Sequence, residues 1–317
     1  MSRPVSVWAC AQSDARTQRR GRYLPGTTAH PAKMLPALAA YAITELTRPG
    51  ELVFDPMCGA GTTLVEAVHH GRHAVGVDIE PRWAQMARRN LDLAHELGAR
   101  GSGQVLRADA RRLPDNLPEP LLDQLRGRVR LVVTSPPYGP STHGQVEVRP
   151  GAGVVKSDYR YARHAHAANL AYQPLPQLCA GLEAILAGCR PLLAPDGYVV
   201  ITARPWRRHG ELIDLPAAIT TAADNAGYQL TQRCVALLAG LRDGALVTRA
   251  SFFQRDAVTK ARAAGIPRQL ICHEDTLIYQ QTENRLSSES AQVGTSGPHR
   301  AVDPPAAPVS ATSHEVP

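Results

Sequence analysis

The sequence predicts an α/β fold, in which a doubly wound, mostly parallel sheet of about seven strands ends in an antiparallel pair. Short apolar runs alternate with segments of helical period along most of the 317 residues, which is typical of βαβ units. One such run, at 52–54, leads through a glycine-containing loop directly into a helix. A hydrophobic content of 44% is enough to bury a full core.

The predicted domain occupies residues 26–282. Residues 1–25 contain several arginines and show no clear period, so we expect a flexible basic arm. The stretches 140–172 and 239–274 are longer than a connection needs, and we interpret them as loop insertions. Residues 283–317 are rich in Ser, Pro, Ala and Gly and poor in large apolar side chains, which predicts a disordered tail.

The first half of the sheet follows from three apolar runs and the helices between them. An alanine- and leucine-rich helix runs to about Thr47 and ends before Pro49-Gly50, a pair that stops helices. The strand at 52–54 suits burial on both faces, and the helix after it opens at Leu64. The next elements are expected as a strand at 74–77, a helix from Pro81 to about Gly98 and a strand at 104–107.

The second half begins with an apolar strand at 131–133, which is followed by two successive prolines. The last two strands of this half are expected to pair antiparallel. The later elements are expected as a helix at 175–193, a strand at 198–202, a helix at 212–226, a strand ending at 237 and a last strand at 276–279.

Two acids predict what binds at the first strand. Gly59-Ala60-Gly61 lacks the third glycine of a dinucleotide fingerprint, and Asp55 stands before these glycines, where a carboxylate would repel a pyrophosphate but bind an ammonium. Asp78 ends the second strand, where an acid takes the two hydroxyls of a ribose. A ligand that is both amino acid and nucleoside is S-adenosylmethionine. The alternative is an ordinary βαβ turn with incidental acids.

Asp109 follows the third strand and is a further candidate. It is placed to accept a hydrogen bond from the adenine amino group of the same cofactor. The alternative is a cap for the helical turn that follows it.

The loop Ser135-Pro136-Pro137-Tyr138 is the second candidate site. Without amide hydrogens at its prolines, this loop presents carbonyl acceptors and a hydroxyl, which suit a planar exocyclic amine. Tyr138 offers a ring face on which a base can stack, and we expect this face rather than the hydroxyl to hold the base. The alternative is a plain proline turn that ends a strand.

Charge and cysteine content narrow the possible partners. Lys plus Arg number 35 against 28 for Asp plus Glu, and the resulting charge of +7 favours a polyanion such as nucleic acid. Basic and aromatic residues in the insertions 140–172 and 239–274 are candidates for that contact, with a lid over the cofactor and a structural flap as the alternatives.

The six cysteines lack ligand spacing, which predicts free thiols, a cytoplasmic location and no metal site. No apolar stretch is long enough to predict a membrane span.

Three motifs together resemble the amino-methyltransferases of DNA, the cytosine-N(4) and adenine-N(6) family. They are His30-Pro31-x-Lys33, Asp55-Pro56-x-Cys58-Gly59-x-Gly61-Thr62-Thr63 and Thr134-Ser135-Pro136-Pro137-Tyr138, and the resemblance covers about residues 27–235. It implies a Rossmann-like class I methyltransferase fold. It also implies that S-adenosylmethionine is bound by Asp55, Gly59, Gly61, Thr62 and Asp78, that His30 and Lys33 border its methionine end, and that the catalytic loop Ser135, Pro136, Pro137 and Tyr138 holds the target base.

The resemblance also sets out the substrate alternatives. Serine at position 135 favours cytosine, so a site-specific DNA cytosine-N(4) methyltransferase of the restriction–modification type is the first expectation. Met57, Cys58 and Gly139 resemble guanine-N(2) methyltransferases of transfer and ribosomal RNA, which is the second. A non-catalytic nucleic-acid-binding protein that keeps the fold is the third. DNA is favoured over RNA because the sequence contains no recognisable RNA-binding module.

Overall fold

The structure is a computed structural model that describes residues 4–138, 145–149, 153–157, 168–208, 211–250 and 252–282. The α-helices in these residues are α1 (Ala15–Arg19), α2 (Pro36–Leu46), α3 (Thr62–His69), α4 (Pro81–Glu96), α5 (Glu119–Leu125), α6 (Leu175–Cys189), α7 (Leu215–Asn225) and α8 (Phe252–Ala263). Short 3₁₀ turns are found at Pro25–Ala29, Ala110–Arg112, Leu170–Tyr172 and Arg190–Leu192.

The strands are β1 (Val7–Trp8), β2 (Leu52–Asp55), β3 (His73–Asp78), β4 (Gly103–Arg107), β5 (Val129–Thr134), β6 (Gln145–Arg149), β7 (Gly153–Ser157), β8 (Leu193–Ala203), β9 (Trp206–Arg208), β10 (Glu211–Ile213), β11 (Tyr228–Leu237), β12 (Ala239–Arg242), β13 (Ala245–Thr248) and β14 (His273–Gln281).

One sheet organises the fold, with the strand order β1-β11-β14-β8-β5-β2-β3-β4. The five strands from β8 to β4 are parallel, and β14 pairs antiparallel with both β8 and β11. The predicted doubly wound sheet with an antiparallel last pair is therefore confirmed. The short strand β1 extends it by one strand at the β11 edge.

Side chains along the central strands point alternately to the two faces of the sheet, and each face packs against its own hydrophobic core. Val53 packs with α2, α3 and α4 on one face, whereas its neighbour Phe54 packs with α6 and α7 on the other. The same switch occurs between Val132 and Val133 on β5. Because successive side chains of a strand point to opposite faces, a strand that is apolar throughout must be covered on both sides.

The prediction of a flexible arm at 1–25 is wrong for residues 4–25. Val7 and Trp8 pair with β11, and the Trp8 side chain is buried and stacked on Tyr41 with ring centroids 4.5 Å apart. Arg19 and Tyr23 are also buried. These contacts join residues distant in sequence, so local periodicity did not reveal them.

The insertions have more regular structure than predicted. Within 140–172, the described residues 145–149 and 153–157 form an antiparallel hairpin. The stretch 239–274 contains the β12–β13 hairpin, α8 and the start of β14. The predicted tail at 283–317 lies outside the described residues. None of the described helices is long and apolar enough to cross a membrane.

Candidate active site

A cleft opens at the edge of the sheet where the parallel strands end, as open α/β folds generally arrange. It encloses about 860 Å³ of space, part of it open to solvent. The segment before α2, the β2–α3 loop and the ends of β3, β4 and β5 all contribute to its wall. Of the predicted residues, those lining it are His30, Lys33, Asp55, Gly59, Thr62, Asp78, Asp109, Ser135 and Pro137. Gly61, Pro136 and Tyr138 are outside the lining.

The β2–α3 loop can take its path only with glycine at two positions. Gly59 and Gly61 have φ values of +52° and +86°, in the left-handed region that favours glycine. A Cβ at Gly59 would lie 2.8 Å from His30 Nε2, and one at Gly61 would lie 3.0 Å from the Cβ of Ala87. Gly59 therefore lets the backbone reach the cleft, whereas Gly61 lets α3 begin against α4.

Asp78 connects the end of β3 to this loop. Its Oδ2 accepts a hydrogen bond from the Gly59 amide at 2.9 Å, and its Oδ1 accepts one from the Glu80 amide at 2.8 Å. Burial raises the pKa of Asp78 to about 7, although both amide hydrogen bonds oppose that rise. Each carboxylate oxygen keeps a second lone pair, so Asp78 can still accept hydrogen bonds from ligand hydroxyls.

Asp55 is buried at the end of β2. Burial raises its pKa to about 6, and hydrogen bonds from the Thr63 hydroxyl and the Met57 amide, the latter at 3.0 Å, oppose that rise. No described lysine, arginine or histidine forms a salt bridge with Asp55 or Asp78. A buried acid and a half-buried acid that form no salt bridge with a described residue fit a ligand that carries both positive charge and hydroxyl groups, as S-adenosylmethionine does.

His30 and Lys33 lie together at one end of the cleft. His30 packs edge-on against Trp83 with ring centroids 4.5 Å apart, and burial lowers its pKa to about 3, which makes it neutral. Lys33 Nζ donates hydrogen bonds to the carbonyls of His30 and Thr28. Burial and the nearby Arg19 lower the pKa of Lys33 to about 8. The position of this pair is compatible with the predicted border of the methionine end.

Asp109 caps the helical turn after β4, which was the structural alternative. Its Oδ1 accepts a hydrogen bond from the Arg111 amide at 3.1 Å, and its Oδ2 forms a 2.7 Å ion pair with the Arg111 side chain. Asp109 also lines the cleft, so a contact with adenine stays a prediction.

Two further residues lining the cleft were not identified from the sequence. Glu80 is only 5% exposed, and its Oε1 accepts a hydrogen bond from the Asn169 side chain at 2.7 Å. Glu80 follows Asp78 by two positions, and this second acid at a strand end was an available signal. Asn169 carries no such local signal, because it reaches Glu80 only through the fold.

The fully buried Asn90 fixes the glycine loop from the side of α4 and was also missed. Its side-chain amide donates to the Ala60 carbonyl at 2.8 Å and to the Thr27 hydroxyl at 2.9 Å, while its oxygen accepts from the Leu24 amide at 2.9 Å. An asparagine on the apolar face of a helix was the signal that could have found it.

The Ser135–Tyr138 loop is only partly directed into the cleft. Ser135 and Pro137 line it, whereas Pro136 is buried and Tyr138 is 8% exposed. The Tyr138 hydroxyl donates to Glu274 Oε1 at 3.2 Å, and the Arg204 guanidinium lies 5.5 Å from its ring centroid. The predicted open ring face is therefore covered, and stacking of a base on Tyr138 stays a prediction that requires the ring to be uncovered.

Comparison with known proteins bears on the nature of this cleft. Residues 3–89 match the sequence model of a family described as DNA methylase. A tRNA (guanine(10)-N2)-dimethyltransferase of Methanocaldococcus jannaschii is 37% identical over 121 residues, which are 38% of this chain and 32% of that protein. The DNA adenine methyltransferase YhdJ of Escherichia coli is 33% identical over 76 residues, 24% of this chain and 26% of that protein.

Among solved structures, TrmN from Thermus thermophilus aligns with 83% of this chain and 53% of its own, at 19% identity and a TM-score of 0.48. The chain spans about a third or less of the length of the two sequence relatives. The predicted resemblance to the DNA amino-methyltransferase family is confirmed. The family match contains the His30-Pro31 motif and the glycine loop, and it ends before Ser135.

Proposed function

We propose that the chain is an S-adenosylmethionine-dependent methyltransferase that acts on the exocyclic amine of a nucleic-acid base. One observation carries this proposal: a single cleft joins the acids Asp55 and Asp78, which form no salt bridge within the described part of the chain, to the hydroxyl-bearing loop at Ser135. Relatives found by sequence include a tRNA (guanine(10)-N2)-dimethyltransferase and a DNA adenine methyltransferase, and both names specify a base of a nucleic acid as the target.

S-adenosylmethionine is the cofactor, and when bound it supplies a methyl group on a positively charged sulfur. Asp78 would hold the ribose hydroxyls and Asp55 the ammonium, and Gly59 would let the ligand approach the backbone because it has no side chain. His30 and Lys33 border the amino-acid end. Asp55 is buried and Asp78 is half-buried, so both contacts would form where water is partly excluded, and a lower local dielectric constant would strengthen them.

The Ser135 loop orients the amine. The serine hydroxyl and the Pro136 carbonyl would accept the hydrogens of the amine, which would localise its lone pair on the nitrogen and make it more nucleophilic. Serine is too weak a base to take the proton, which leaves to water after methyl transfer. This role needs hydrogen-bond acceptors in fixed positions more than it needs acid or base strength.

Two polymers remain as candidate substrates, each with its own support. The DNA methylase match and Ser135 favour DNA cytosine-N(4) methylation at a specific site. The relative that methylates tRNA guanine favours RNA, with N(2) of guanine as the target. A nucleic-acid-binding protein without catalysis is the third possibility. It is disfavoured because the Ser135 loop lies in the same cleft as the two acids, and binding alone does not require that arrangement.

The insertions are placed to contact the polymer. The chain leaves β5, β8 and β11 at the same edge of the sheet as the cleft, and the hairpins and α8 follow there. Arg242 and Arg249 donate to carbonyls of the N-terminal segment, so these two serve structure. α8 exposes Arg255, Lys260 and Arg262; Arg255 also donates to the Ala250 carbonyl at 3.0 Å, and Lys260 Nζ lies 2.9 Å from Asp256 Oδ2. Cations on this helix suit a phosphate backbone.

The test is methyl transfer to separated polymers. The protein is incubated with isotopically labelled S-adenosylmethionine and, separately, with unmodified DNA and RNA pools, and the nucleosides are then identified by mass. N(4)-methylcytosine in the DNA pool supports the first candidate, and N(2)-methylguanine in the RNA pool supports the second. Cofactor binding without a methylated nucleoside in either pool would leave only the non-catalytic alternative.

A further inference from the structure

Tyr138 contacts two charged side chains from distant parts of the chain. Its hydroxyl donates a hydrogen bond to Glu274 Oε1 at 3.2 Å, and the guanidinium carbon of Arg204 lies 5.5 Å from its ring centroid. Glu274 lies at the start of β14, Arg204 directly follows β8, and Tyr138 follows β5. Because β5, β8 and β14 are neighbours in the sheet, the three side chains meet at the edge that also forms the cleft.

This arrangement restrains the whole base-holding loop. The Tyr138 ring is 8% exposed and packs in the same core as Phe54 and Val132 from the strands beneath the cleft. Ser135 is three positions upstream, and the two prolines between them restrict the backbone dihedrals. A movement of the tyrosine ring is therefore transmitted to the Ser135 hydroxyl and the Pro136 carbonyl with little loss.

The contact between Tyr138 and Glu274 joins a buried tyrosine to a half-buried glutamate. Burial raises the pKa of Glu274, while the Arg204 charge and the Tyr138 hydroxyl oppose that rise. Both partners stabilise this carboxylate, since a half-buried acceptor that loses its donor keeps part of its desolvation cost. The same hydrogen bond therefore restricts the position of the Tyr138 hydroxyl and supplies a donor to the Glu274 carboxylate.

We infer that Glu274 is a positioning residue for methyl transfer. It fixes the Tyr138 hydroxyl, and thereby the orientation of the Ser135 loop toward the target amine, while Arg204 supports the ring from its face. This inference rests on the proposed function. It also changes an expectation from the sequence, because the tyrosine hydroxyl, and not only the ring face, now has a role.

Two substitutions test the inference together. Glu274→Leu removes the acceptor and Tyr138→Phe removes the donor, and each should lower kcat for methyl transfer roughly tenfold, as expected for one hydrogen bond to a charged group. The double variant should be no slower than either single variant, because both changes break the same contact. Glu274→Gln keeps an acceptor and should recover most of the rate. The Kd for S-adenosylmethionine, measured by calorimetry, should change less than twofold in all variants.

Two controls separate positioning from general stability. Tyr228→Phe removes another buried tyrosine hydroxyl, which donates to the Leu186 carbonyl at 3.0 Å, and should lower the melting temperature without lowering kcat. Asp275→Asn alters the neighbouring acid on the same strand, which pairs with Arg233 instead. It should also leave kcat unchanged.

Three results would count against the inference. Parental kcat in Glu274→Leu would overturn it, and so would effects of the two substitutions that multiply in the double variant. Equal losses in Glu274→Gln and Glu274→Leu would overturn it as well, since the retained acceptor would then have no influence. If the parent protein binds the cofactor but methylates neither DNA nor RNA, the proposed function fails, and the inference fails with it.

Discussion

Replacing Asp78 by alanine is the sharpest test of the cofactor site. The carboxylate accepts hydrogen bonds from the Gly59 and Glu80 amides and is also placed to accept from two ribose hydroxyls. Hydrogen bonds to a charged group contribute about 1.5 to 3 kcal/mol each. Loss of the hydroxyl contacts alone should weaken S-adenosylmethionine binding by about 2 kcal/mol or more, which is roughly a 30-fold rise in Kd.

Isothermal titration with S-adenosylmethionine and its demethylated product gives the measurement. Asp14→Ala is the matched control, because Asp14 also accepts two backbone amide bonds, at 2.9 Å each, but caps α1 and does not line the cleft. Both variants should lose some stability, whereas only Asp78→Ala should lose cofactor affinity. An Asp78→Ala protein that folds and keeps the parental Kd would refute the assignment of the ribose site to Asp78.

Four other predictions concern the cleft and helix α8. Burial raises the pKa values of Asp55 and Asp78 to about 6 and 7, so between pH 4 and 7 the folded protein binds more protons than the unfolded chain. The contribution of these two acids to the free energy of unfolding should therefore fall as pH rises from 4 to 7. Cofactor affinity should rise over pH 5 to 8, since ionised Asp55 attracts the ammonium and ionised Asp78 accepts stronger hydrogen bonds from the ribose hydroxyls, and an affinity independent of pH in this range would contradict both assignments. Gly59→Ala should weaken cofactor binding at least tenfold by forcing a Cβ against His30 at a positive φ, and parental affinity by calorimetry would show that the loop can rearrange. Neutralising the exposed cations of α8 should weaken nucleic-acid binding and flatten its dependence on salt, measured by fluorescence anisotropy at several salt concentrations. The variants are Arg255→Gln, Lys260→Gln and Arg262→Gln. The control is Arg48→Gln, Arg126→Gln and Arg128→Gln, outside the insertions, and an equal loss in this control would argue against a site on α8.

Residues that lie next to each other in sequence were predicted well. The expected strand at 52–54 corresponds to β2, the expected strand at 74–77 lies within β3, and the one at 276–279 lies within β14. Asp55 and Asp78 were placed correctly at the strand ends, because the topology of parallel strands brings those ends together. The local sequence pattern was sufficient to place a candidate site residue wherever that residue directly follows an apolar strand.

Contacts between distant residues were not predictable in the same way. Trp8 pairs with β11, which is more than half the chain away, and an apolar pair at the start of the sequence carries no strand signal of its own. Asn169 bonds to Glu80, and Tyr138 bonds to Glu274 across 136 positions. Such pairs depend on the order of the strands in the sheet. A single sequence predicts where strands lie along the chain more readily than it predicts their order in the sheet.

A single-turnover experiment with S-adenosylmethionine that carries a deuterated methyl group tests the central claim most directly. The parent protein should place the labelled methyl on an exocyclic nitrogen of a base, as identified by nucleoside mass and fragmentation. Ser135→Ala should do so roughly 10- to 100-fold more slowly, because the amine loses one of its hydrogen-bond acceptors, while its cofactor Kd stays unchanged. A label found on a ring carbon, on ribose or on protein, or a Ser135→Ala variant as fast as the parent, would contradict amine methylation directed by this loop.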